Sequence, residues 1–152
     1  MNANVSPLDT LIELARGARD QAGQALASER QNEQQVAGQL ASLNQYRLEY
    51  AQRLQQAMCD GIDPATLRNY QQFLDSLDAA LARSQQALQA QQKRVGQRQA
   101  QWRQEQHKLS SYDTLASRRQ QEQQRREARQ ELRLSDELVN GRLARARHTS
   151  DM

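Results

Sequence analysis

The sequence predicts an all-α fold: two long helices joined by one short turn and folded on each other as an antiparallel coiled coil, the second helix longer than the first. Three observations lead there. The 152 residues are 37% hydrophobic and 4% aromatic, with a mean hydropathy of −1.01. That is too little apolar side chain for a compact globule, but enough for helices that each bury one narrow stripe. Both prolines follow a residue able to cap a helix (Ser6-Pro7 and Asp63-Pro64), so each marks a helix start. Between and after them apolar residues recur at alternating steps of three and four. A disordered chain, the other state such a composition permits, has no use for that period.

The elements follow in order. Ser6 is the expected N-cap of helix one, with Pro7 at the first helical position and Asp9 placed to reach back to the cap. Helix one runs over about 7–60. Its stripe opens on Leu8, Leu11, Ala15, Ala18 and Ala22 and continues through Val36, Leu40, Leu43, Arg47, Tyr50 and Leu54. Between these halves two steps of four fall together, which reads as a stutter. Asp60-Gly61-Ile62-Asp63 forms the turn, with Gly61 past the helix end. Helix two covers about 64–147. Its stripe is Leu67, Tyr70, Leu74, Leu77, Leu81, Ser84, Leu88, Gln91, Val95, Arg98, Trp102, Glu105, Leu109 and Tyr112.

A short turn makes the helices antiparallel neighbours, pairing positions whose numbers add up to roughly 123. Trp102 then faces Ala18, Ala22 and Gly23, and Leu115 faces Leu8. Leu81, Leu88, Trp102 and Leu109 are the expected core. Past Leu115 the stripe stops, leaving an overhang over about 118–147 with nine arginines against five acids. Leu132, Leu134, Leu138, Val139 and Leu143 return apolar surface to it. The expected organisation is a single coiled-coil domain over 1–152, with frayed tails at Met1–Val5 and His148–Met152.

Little in the chain can carry chemistry. His107 and His148 are far apart, and Cys59 has no histidine near it. No metal-ligand spacing, phosphate loop or cofactor motif is present, so the expectation is no enzyme, no catalytic residue, no metal and no cofactor. The N-terminus lacks a basic and an apolar signal region. No apolar run approaches the roughly 20 residues that span a bilayer. One cysteine and these absences predict a soluble, intracellular protein. The net charge is +3, but acids interleave the arginines and no zipper forks over a groove, which argues against nucleic acid. Tyr46, Tyr50, Phe73 and Leu77 should lie side by side near the turn. They are either a hydrophobic plug or an aromatic docking patch.

The ordered set Leu8–Leu11–Leu14–Ala15, Tyr46-x3-Tyr50, Gly61, Leu67–Tyr70–Phe73-Leu74–Leu77, Trp102, Tyr112–Leu115–Arg118-Arg119 and Asp136-Glu137 resembles the FliJ family of flagellar type III export proteins over nearly the whole chain. The resemblance implies a cytoplasmic, non-enzymatic rod like the central stalk of rotary ATPases. It would insert into and stimulate the flagellar export ATPase ring, bind the export gate's cytoplasmic domain and escort export chaperones, peripheral to the inner membrane without entering it. The implied gate surface is Gln39, Leu43, Tyr46, Tyr50, Phe73, Leu77 and Ala80; the next position, often histidine in the family, is Ser84. The implied ATPase-contacting residues are Leu8, Leu11, Leu14, Arg118, Arg119, Asp136 and Glu137. The alternatives are the equivalent stalk of a virulence injectisome and a structural coiled-coil dimer. A monomer is expected, because the chain covers its own seam.

Overall fold

The computed structural model describes residues 6–150. Helix α1 spans Pro7–Asp60 and helix α2 spans Pro64–Ser150. The two helices pack against each other, and the described residues contain no strand. Of the expected tails, residues 1–5 and 151–152 lie outside the described residues. His148, Thr149 and Ser150 are helical, so α2 continues past Arg147. The described residues form two compact units: Arg16–Gln106, and residues 6–15 together with 107–150.

The Arg16–Gln106 unit contains the turn. Gly61 carries φ +89°, a left-handed conformation that lets the chain leave α1 and that a Cβ would strain. Asp63 then caps α2. The Leu67 amide donates to the Asp63 carbonyl at 3.1 Å, and the Thr66 hydroxyl donates to the Asp63 carboxylate. That hydroxyl holds the Asp63 carboxyl below its ordinary range.

On α1 the buried or half-buried positions of this unit are Arg19, Ala22, Leu26, Glu29, Glu33, Val36, Leu40, Leu43, Arg47, Tyr50, Leu54 and Ala57, with Ala18, Gly23, Ala25 and Ala51 alongside. The steps through Arg19 and Leu26 alternate four and three without interruption, so the expected stutter is absent. Polar residues, Arg19, Glu29, Glu33 and Arg47, occupy seam positions that apolarity does not mark. On α2, Leu77 and Leu81 are buried, and Leu67, Tyr70, Phe73, Leu74, Leu88, Val95 and Trp102 are half-buried. Arg98 is exposed and Gln99 takes its place in the seam.

Cross-helix contacts follow the expected register. Trp102 packs on Gly23, where an added Cβ would meet the indole Cδ1 and Nε1 at 3.4 Å. Arg19 donates to Gln106. Gln91, only 7% exposed, donates its side-chain amide to the Glu29 carbonyl at 2.9 Å and to the Glu29 carboxylate. This polar layer satisfies a group whose burial would otherwise be costly.

In the other unit a capping box opens α1. The Asp9 amide donates to Ser6 Oγ at 3.2 Å, and the Ser6 amide donates to Asp9 Oδ2 at 3.4 Å. Leu8, Ala15 and Leu109 are buried, and Ile12, Tyr112 and Ala116 are half-buried. Leu11 and Leu115, expected in the seam, are 43% and 44% exposed. Each sits one residue away from the 3-4 row (Leu8, Ile12, Ala15 and Leu109, Tyr112, Ala116), and the pitch turns it outward. Every residue from Ser117 to Ser150 is exposed.

Candidate partner-binding surfaces

Two surfaces stand out, one in each unit. The first is an aromatic cluster near the turn. The 3-4 spacing of α1 puts Leu43 and Tyr50 in the seam and Tyr46 at its edge. The spacing of α2 does the same with Tyr70 and Leu77 in the seam and Phe73 and Ala80 at the edge. Two antiparallel helices bring like edges together. Tyr50 lies 4.3 Å from Phe73 and 5.1 Å from Tyr70 between ring centroids, and Tyr46 meets Phe73 edge-on at 5.9 Å. Tyr46 and Tyr50 are 6.4 Å apart. Such tilted pairs are favourable beyond simple area burial.

The cluster is half closed. Leu77 is buried; Leu43, Tyr50, Phe73 and Ala80 are half-buried; Gln39 is exposed and Tyr46 is 46% exposed. Tyr70, a seam residue of the α2 stripe, completes the ring contacts. Its signal was the step of three from Leu67 and three again to Phe73. On the opposite edge Arg47 pairs with Asp78 across the seam, with a second contact, Nη2 to Oδ2, at 3.3 Å. The hydrogen bond and charge of Arg47 hold the Asp78 carboxyl below its ordinary range, and Asp78 raises Arg47 in turn. One edge of this stretch is therefore ionic and the other aromatic.

The second surface is the exposed stretch of α2 in the other unit. Leu132, Leu134, Leu138, Val139 and Leu143 are each at least half exposed. At 100° per residue, Leu132, Val139 and Leu143 share one face, while Leu134 and Leu138 lie on roughly the opposite one. Arg118, Arg119, Asp136 and Glu137 are exposed here. Of the α1 residues grouped with them, Leu14 is 66% exposed and Leu11 partly so, whereas Leu8 is buried in the seam. Among the expected core residues, Leu81 and Leu109 are buried, and Leu88 and Trp102 are half-buried.

No three or more His, Cys, Asp or Glu side chains converge on a metal-sized site among the described residues. No described helix is long and apolar enough to cross a membrane. Both surfaces are open faces that suit macromolecular partners.

The comparisons with known proteins agree with one another. The family described as flagellar FliJ protein matches residues 4–148. The flagellar FliJ proteins of Salmonella typhi and of Escherichia coli strain K12 are each 32% identical to this chain over 111 residues, covering 73% of it and 76% of the relative. This chain belongs to the flagellar FliJ family.

Proposed function

We propose that this flagellar protein is a non-enzymatic part of the type III export apparatus, a central-stalk-like shaft that enters and stimulates the ring of the export ATPase. It docks on the cytoplasmic domain of the export gate through the aromatic edge and escorts export chaperones. It works in the cytoplasm, peripheral to the inner membrane and not inserted in it.

The observation that carries the stalk reading is the stretch Ser117–Ser150, exposed along its whole length yet bearing large aliphatics on two opposed faces. A partner docking on one side would cover one of those faces. A partner that surrounds the helix covers both, as a ring does. A solvated helix needs neither. The gate reading is supported by the half-exposed Tyr46 standing over Tyr50 and Phe73. A packed aromatic platform with one ring accessible is a common form of interface anchor.

The test is hydrolysis by the cognate export ATPase with and without this protein, compared with a variant lacking residues 122–152. The full chain is expected to stimulate several-fold, and the truncated chain, with its remaining helix content intact, is expected to give no stimulation. Equal stimulation by both would rule out the exposed stretch as the contact.

A further inference from the structure

The arginines of the exposed stretch are not spread evenly. Arg118, Arg119, Arg125, Arg126, Arg129 and Arg133 fall within about a third of the circumference of α2 at 100° per residue. All six are exposed. Glu127 and Glu131 lie on the other side of the helix. The one acid within the arginine face is Glu122, which pairs with Arg126 at 3.6 Å, and this is the only ion pair on that face among the described residues. Like charges three, four and seven residues apart repel along a helix, so the face is electrostatically unfavourable while it is bare.

Its placement is as informative as its charge. The row that carries Leu109, Tyr112 and Ala116 into the seam against α1 continues, at the same 3-4 spacing, as Arg119, Gln123, Arg126, Gln130 and Arg133. The row beside it begins at Arg118 and Arg125 and continues, seven residues at a time, as Leu132, Val139 and Ala146. Each step of seven rises about 10.5 Å. Along one strip of surface the helix is thus first cationic and then aliphatic.

We infer that the face from Arg118 to Arg133 is a docking surface for an acidic protein surface, carboxylates spaced along its length, which becomes apolar where it meets Leu132, Val139 and Leu143. Charge complementarity selects the carboxylates, since arginine forks match them in bidentate geometry. The apolar continuation selects protein over nucleic acid, whose backbone offers nothing to aliphatic side chains. Residues 117–150 also contain no Phe, Tyr or Trp ring on which a base could stack. The inference rests on the stalk reading above and specifies the chemistry of the ring's lining.

The experiment uses the full chain and the cognate export ATPase, with stimulation of hydrolysis and direct binding measured between about 0.05 and 0.5 M salt. The variants are a triple Arg125→Gln, Arg126→Gln, Arg129→Gln and the matching triple to lysine. Stimulation by the wild type should fall roughly fivefold over that salt range. The glutamine triple should be weak at low salt already, and the lysine triple should recover most of the effect, with helix content unchanged in both. Stimulation that is indifferent to salt and retained by the glutamine triple would overturn the acidic-surface inference and leave the stalk reading standing. A wild type that neither binds nor stimulates would overturn the stalk reading, and the inference with it. Loss of ATPase binding on adding duplex DNA, with steep salt-dependent retention of the protein on that DNA, would overturn the choice of a protein partner.

Discussion

Arg47 occupies a seam position on α1 that an aliphatic residue would ordinarily fill, and its head reaches Asp78 on the far helix. Its stem contributes packing while the guanidinium contributes direction. An exposed pair of this kind adds little to overall stability. The pH dependence has a definite sign. Arg47 lowers the Asp78 carboxyl in the folded state relative to the unfolded one. Its contribution is therefore complete above the unfolded value near pH 4 and is lost as the pH falls through the lower folded value. The melting temperature of wild type should exceed that of Asp78→Asn by a constant amount from neutrality down to about pH 4, with the gap closing below. A gap that survives at pH 2 would assign the effect to something other than this pair.

At the scale of the elements, α1 and α2 were legible from their punctuation. Ser6 and Asp9 cap each other as the sequence implied, and Gly61 has the positive φ that its place past a helix end required. The seam was less legible. Apolarity chose Leu11 over Ile12 and passed over Arg19, Glu29 and Glu33, and those choices created a stutter that the helix does not have. Nothing in composition marks Glu29 and Gln91 as partners, because their hydrogen bonds depend on a register known only once the helices are paired. Near the turn, the grouping of Tyr46, Tyr50 and Phe73 is readable from the folding rule, and Tyr70 is readable as a seam position, while its contact with Tyr50 depends on ring geometry. Whether this group is plug or platform can be measured. Tyr46→Ala, at the exposed edge, should leave the thermal midpoint within a few degrees and weaken gate binding by tenfold or more. Tyr50→Ala combined with Phe73→Ala should abolish gate binding with helicity nearly intact. Unfolding of the double variant would make the cluster a structural plug.

For the molecule as a whole, the largest relative burial in the described residues is modest. No side chain among them is less than 2% exposed, and the most enclosed aliphatic, Leu109, keeps 3%. Two helices facing only each other have no third layer to seal the seam. Stability is therefore distributed along the helix pair and not concentrated in one core, and Leu77→Ala or Leu81→Ala should cost about 2–3 kcal/mol by chemical denaturation, toward the low end of buried-leucine truncations. The stretch beyond Ala116 gains nothing from tertiary burial, since all of it is exposed, so its helix is free to open locally. Its many arginines then make it a substrate for trypsin. Brief digestion should remove peptides from Arg118 onward first and leave a resistant core that retains the turn. An engaged partner should delay those same cuts, so the order of cleavage would serve as a clock for when, and along how much of its length, the exposed helix is held.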